Sequence, residues 1–144
     1  MHTNRRPCGV TSIAVVNAVA GVVTLLFWGL VYLRLFAGSS IADPVLRASA
    51  AATLGFLVGD VVWAVPLLFL SVAGLWGLRD WGWLVAQMVN VLWVYSMTVV
   101  WVRDMYAGSI SPGAVLFTPF AVIATWATVH LWRRRREFWV CSGP

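Results

Sequence analysis

The sequence predicts an all-α integral membrane protein: one domain of four transmembrane helices in an up-down bundle, with both termini in the cytoplasm. Three observations predict it, namely composition, the length of the apolar runs and the placement of arginine. Of the 144 residues, 61% are hydrophobic and 10% charged, and the mean hydropathy is +0.86. A soluble domain carries about 25% charged residues, so this chain has too little charge to cover a water-facing surface. Four runs, 13–33, 54–78, 81–102 and 113–132, reach the roughly 20 apolar residues that a membrane-crossing helix needs. The connections are short, so no second domain, repeat or linker is expected.

The first run follows Arg5 and Arg6, an arrangement shared with secretory signals, and Ser40 and Ala42 even stand where a cleavage before Asp43 would need small residues. Its apolar length exceeds the roughly 7–15 residues of a signal core, and Arg34 interrupts the path to that site. An uncleaved first span is the expectation. The arginine pair lacks the continuation of a twin-arginine signal, and Cys8 precedes the apolar run rather than following it, unlike a lipoprotein cysteine.

Orientation is read from the basic residues, all ten of which are arginine. With four alternating spans, Arg5, Arg6, Arg79, Arg133, Arg134, Arg135 and Arg136 share one side, and Arg34, Arg47 and Arg103 the other. Positively charged loops stay in the cytoplasm, which places both termini there. The lysine-free, Ala-, Val- and Trp-rich usage matches a GC-rich prokaryotic coding sequence, and the plasma (inner) membrane of a prokaryote is the expected location. Trp76, Trp81, Trp83 and Trp132 then fall near the inner boundary and Trp28, Tyr32, Trp101 and Tyr106 near the outer one, where amphipathic rings prefer to lie. Trp93 and Trp126 are mid-span.

Ser111-Pro112-Gly113 reads as a cap and first turn for the fourth helix, with proline where its missing N–H costs nothing. Asp43-Pro44 does the same for a helix that starts in the outer loop and runs into the second span for about 50 Å, with Pro66 as the expected kink.

No pattern for catalysis or a cofactor is found. Cys8 and Cys141 both face a reducing compartment, so no disulfide is expected, and no Cys-x-x-Cys is present. His130 is the one histidine near a span, His2 lying in the tail, so a bis-histidine haem would need a second copy of the chain. Nucleotide-binding loops, dinucleotide fingerprints, zinc-protease motifs and nucleophile elbows are missing. No cofactor and no metal are expected. Small multidrug exporters are four-span chains of similar size, but they rely on a first-span glutamate, and this first span has no carboxylate.

Polar residues inside the spans are the remaining candidates. In the third span, Trp83, Asn90 and Met97 succeed one another about 20° apart around the helix, with Ala86, Gln87, Val94 and Trp101 beside them. Lipid offers Asn90 no hydrogen-bond partner, and Asn17, Thr125 and Thr128 lie at a depth where they could meet it or Gln87. Two readings stay open: interhelical hydrogen bonds worth about 0.6 kcal/mol each, or a polar cavity lined by Trp83, Gln87, Asn90, Trp93 and Met97 that takes an uncharged or cationic molecule. In the second span, Gly55 and Gly59 lie four apart, with Ala52 and Pro66 on the same face, and allow close approach of a helix from this chain or another subunit. Asp60 is either an outer-interface carboxylate or, if the span begins near residue 54, buried by about 9 Å. A buried Asp60 would pair with Arg34, Arg103 or Arg47 or serve as a proton or cation site. The cluster Arg133 to Arg136 is suited to anionic headgroups on the cytoplasmic side, and nucleic-acid binding is not expected.

Function is therefore bounded rather than named. A non-enzymatic membrane component, such as an accessory or assembly subunit packed on a partner or on a second copy, needs nothing beyond these features. A small oligomeric transporter or channel would use Asp60 and the Gln87/Asn90 stripe, and an enzyme acting on a lipid or quinone would have no evident catalytic pair. The topology is testable with reporter fusions, at residue 144 expected to read cytoplasmic and near Ser109 external. Neutralising Arg5, Arg6 and Arg133 to Arg136 should give mixed insertion, and the reverse pair of readings in the parent would overturn the orientation.

Overall fold

The computed structural model describes residues 8–36 and 44–139, all helices and tight turns. Arg5, Arg6, His2, Cys141, the Ser40–Ala42 site and the Asp43 cap lie outside the described residues. Helix α1 spans Cys8–Phe36 and α2 Pro44–Gly59; a π-helical turn, Asp60–Ala64, leads without a break into α3, Val65–Trp76. Helices α4, Asp80–Ala107, and α5, Pro112–Arg133, follow, and the short α6, Arg135–Trp139, ends the described chain. Four of the described helical runs, with α2, the π turn and α3 counted as one, are long and apolar enough to cross a membrane.

Why these runs are helical follows from the solvent they imply, since hydrocarbon forces each backbone N–H and C=O to bond within its own segment. Their ends are set by local chemistry. After α3, Arg79 N donates to Gly74 O at 3.0 Å and Leu78 N to Leu75 O at 3.2 Å, closing a tight turn in which Leu78 takes φ 48°. That left-handed backbone costs a non-glycine residue about 1–2 kcal/mol, and burial of the Leu78 side chain at 8% exposure offsets it. Helix α4 ends more conventionally, with Gly108 at φ 63° and Ser109 N bonded to Asp104 O. Ser111 caps α5, its Oγ accepting from Ala114 N at 3.3 Å, with Pro112 in the first turn.

The second span departs from the expected simple kink at Pro66. Proline has no N–H, and its ring crowds the carbonyl four residues back. The chain answers one turn earlier, by widening residues 60–64 so that Val65 N bonds Asp60 O, five residues back. Asp60 is the first residue of that turn.

Packing is uneven along the bundle. At the end bearing the 77–79 turn, Val10 and Ile13 of α1, Leu75 and Leu78, Ala86 of α4, Ala127 and Leu131 of α5 and Phe138 of α6 form one buried cluster. Here α3 and α4 cross so closely that a methyl group on Gly74 would strike the Gly82 backbone, and one on Gly82 the backbone of Gly74. Farther along, Ala20, Leu68 and Val89, then Met97, Phe117 and Ala121, continue the core. Five residues of α3 are buried, Val65, Leu68, Ser71, Gly74 and Leu75, whereas no described side chain of α2 is. The second span thus packs firmly below the π turn and lies loosely above it.

Substituting Gly82→Val should cost at least the roughly 1–3 kcal/mol of an overpacked core, read as a lowered melting temperature in detergent. Gly55→Ala, where an added methyl meets nothing within 4 Å, should be neutral or gain up to about 1 kcal/mol in helix propensity. Equal tolerance at the two positions would contradict the crossing.

Candidate functional site

Asp60 sits in the apolar length of the second span, part-buried, and its Oδ2 accepts a hydrogen bond from Trp28 Nε1 at 2.8 Å. Trp28 is buried to 8% exposure and is thus a partner inside the bundle, not only a boundary ring. The arginine partners expected from the sequence are engaged differently. Arg103 gives its guanidinium to the neighbouring Asp104, Nη2 at 2.8 Å and Nε at 3.1 Å from Oδ1. Arg47 is 13 residues earlier on the same helix, about 20 Å away along the axis, beyond reach of Asp60. Arg34 forms no ion pair with a described residue. An indole N–H, not a guanidinium, is what the structure sets against this carboxylate.

Asp60 faces a cavity of about 440 Å³ that all four spans line. Its walls are mostly rings and aliphatic chains: Phe27 and Trp28 of α1, Phe56 of α2, Trp93 and Met97 of α4, and Phe117 of α5. The rings brace one another, with Phe27 edge-on to both Trp28 at 5.1 Å and Phe117 at 5.0 Å, and Trp93 5.4 Å from Phe117. Such contacts add about 0.5–1.5 kcal/mol per pair beyond burial, so the wall is held in place without a ligand. Polar groups are few. Thr24 and Thr53 spend their hydroxyls on Ala20 O and Ser49 O, and Ser96 and Asp60 remain in the body of the cavity, with Arg34, Arg103 and Ser111 toward the 108–111 turn. The space exists because α2 does not close on α4 above the π turn.

The other intramembrane polar candidates are divided among separate places. Asn17 Nδ2 donates to Ser71 Oγ at 2.8 Å, and Ser71 in turn to Leu68 O, tying α1 to α3. Gln87 Nε2 donates to Thr128 O at 3.2 Å, and one turn away Trp83 Nε1 donates to Leu131 O at 2.9 Å, tying α4 to α5. Asn90 is 1% exposed and shares with Asn17 an enclosed space of about 10 Å³. Its Nδ2 has no partner among the described residues, and that space is about the size of one water molecule. Thr125 bonds its own helix at Ala121 O. Of the cavity imagined from the sequence, Trp93 and Met97 line the space around Asp60, while Trp83, Gln87 and Asn90 do not.

Several remaining candidates lie on surfaces. Among the described residues, a methyl on Gly55 or Gly59 would meet nothing within 4 Å. Arg133, Arg134, Arg135 and Arg136 are exposed, with Arg134 paired to Glu137 at 2.6 Å and Arg135 5.2 Å over the Trp132 ring. His130 stacks on Trp126 at 4.9 Å beside Gly9, and no group of three His, Cys, Asp or Glu able to hold a metal occurs among the described residues.

Sequence reasoning missed two residues. Asp104 clasps the start of α5, its Oδ2 accepting from both the N–H and the Oγ of Ser111 at 2.7 Å. Its signal was the spacing to Ser111 across a Gly108 stop, which closes a short hairpin. Ser71 gave no comparable signal, because serine in an apolar helix commonly bonds its own backbone.

The Trp28–Asp60 bond can be weighed with a double-mutant cycle. Trp28→Phe should cost about 1–3 kcal/mol, the penalty for a buried acceptor left unmade, and much less in an Asp60→Leu background. Strict additivity in thermal melts would mean that the two side chains are not coupled.

Comparison with protein-family models, curated proteins and solved structures finds no match for this chain, so its function is read from the cavity and the bundle around it.

Proposed function

We propose that this chain is a non-enzymatic component of a prokaryotic plasma membrane that holds a small, largely apolar molecule in the cavity around Asp60. The carrying observation is that cavity itself, about 440 Å³ with braced aromatic walls and one carboxylate in the apolar length of the spans. Binding sites for small molecules are typically of this size and this mix of apolar wall and sparse polar groups. The bundle is up-down in this reading. Pairs such as Asn17–Ser71 with Trp28–Asp60, and Gln87–Thr128 with Asp104–Ser111, support it, because rising numbers on one helix meet falling numbers on the next. Both termini are cytoplasmic, and Arg133 to Arg136 meet anionic headgroups there, each contributing about 1 kcal/mol. Transport by an oligomer would run through the same Asp60 cavity rather than along Gln87 and Asn90.

A second reading, an accessory or assembly subunit that packs against a partner membrane subunit or another copy, is favoured by one observation. The Gly55 and Gly59 face has the small residues of a helix-packing surface, yet among the described residues nothing lies within 4 Å of where their side chains would begin.

Purification in mild detergent followed by native mass spectrometry separates the two. A bound small molecule, lost when Ala64→Leu fills the cavity from the second span, is the expected result. A protein partner that co-purifies with the parent and is lost on Gly55→Leu, with no small molecule bound, would favour the second reading and overturn the first.

A further inference from the structure

From the chemistry of this cavity we infer its ligand class: a lipophilic organic cation, a protonated amine or quaternary ammonium with apolar substituents, bound with its charge toward Asp60. The inference rests on the ligand-binding reading above and deepens it.

Charge within the cavity favours a cation over an anion. Asp60 is the one acidic side chain lining it. Its Oδ2 takes the Trp28 indole N–H, and among the described residues no hydrogen bond or ion pair is made to its Oδ1. A carboxylate in the apolar length of a span should face protein or water and seek an opposite charge, yet the protein supplies only a neutral donor. The two arginines that line the cavity do not fill that role. Arg103 is held by Asp104 through two hydrogen bonds. Arg34 stands in the last turn of α1, six residues or about 9 Å beyond Trp28 along the helix, and is exposed at that end. The positive charges thus lie toward the 108–111 turn and the negative one lies deeper.

The walls agree with the charge. Phe27, Trp28, Trp93 and Phe117 present a ring-lined surface around the carboxylate's space, and the faces of aromatic rings attract cations, by about 2 kcal/mol or more when the pair is desolvated. An anionic head beside Asp60 would meet a like charge instead. Shape argues for a lipophilic ligand. No described side chain of α2 is buried, and the cavity is lined on one side by Phe56 and Asp60 of the second span and on the other by Ser96 and Arg103 of α4. A molecule dissolved in the bilayer would enter through that opening between α2 and α4.

Tetraphenylphosphonium and tetraphenylborate test this on the unmodified chain, because they share a shape and differ in sign. Binding is read by isothermal titration of the full chain in detergent, against protein-free micelles. Saturable binding of tetraphenylphosphonium at least tenfold tighter than of tetraphenylborate is expected, with a tenfold or greater loss in Asp60→Asn. That variant keeps an acceptor for Trp28, and its melting temperature checks that it folds; if it does not, the ion pair measured on the parent still decides. Equal affinities, or tighter borate binding that Arg34→Gln abolishes, would overturn the cation assignment and leave the cavity as a ligand site. Binding of neither ion, together with no co-purifying molecule, would overturn both.

Discussion

Pro66 is the constraint on which the rest of this structure turns. In hydrocarbon a backbone group without a partner costs several kcal/mol, and proline in the second span removes one donor and crowds one acceptor. The chain absorbs the defect as a π turn over residues 60–64 rather than as a break. Residues beyond the turn pack against α1 and α4, while residues before it stay at the edge of the bundle. The cavity is the space left between these two behaviours, and Asp60 stands at the seam. A residue read from the sequence as a kink thereby places the one carboxylate that lines the intramembrane cavity.

The two ends of the bundle then differ in kind. At the 77–79 end, Gly74 and Gly82 bring two helices to backbone contact, Leu78 accepts a left-handed backbone to fill the core, and Phe138 closes it from the C-terminal side. Interhelical hydrogen bonds such as Asn17–Ser71 and Gln87–Thr128 lie in or beside this well-packed half. At about 0.6 kcal/mol each, they fix register more than they supply stability. At the other end, the Asp104–Ser111 clasp fixes α4 to α5, while no described side chain of α2 is buried. Rigidity in one half lets the other half keep an open space without unfolding, the usual relation between a scaffold and a binding site.

Much of the fold was legible because hydropathy over 20 residues is a strong signal and lipid permits few alternatives. Helical period made the inward face of α4 legible in part: Asn90 and Met97 are 1% and 2% exposed, while Val94 and Trp101, expected beside them, are 41% and 40% exposed. What failed to show was contact between distant positions. Trp28 is 32 residues from Asp60, and an indole near a span end reads equally well as a boundary ring, so the stronger Coulombic attraction of arginine dominated the expectation. Gly55 and Gly59 drew notice by spacing along one helix, but spacing does not supply a facing neighbour. Gly74 and Gly82 lie four residues either side of Leu78, a symmetry about the turn that was visible in the sequence and would have marked them as the pair that meets.

The claim that proline opens the cavity is tested most directly by restoring the missing N–H. Spin labels at Thr53→Cys on α2 and Val100→Cys on α4, in a background with Cys8 and Cys141 changed to serine, report the separation across the cavity by double electron–electron resonance. With Pro66→Ala the second span can run as a regular α-helix, and removal of the extra residue from the turn rotates α2 by about 100° and shifts it by about 1.5 Å relative to α3. The account predicts a changed α2–α4 distance distribution. The same distribution in the parent and in Pro66→Ala would contradict it.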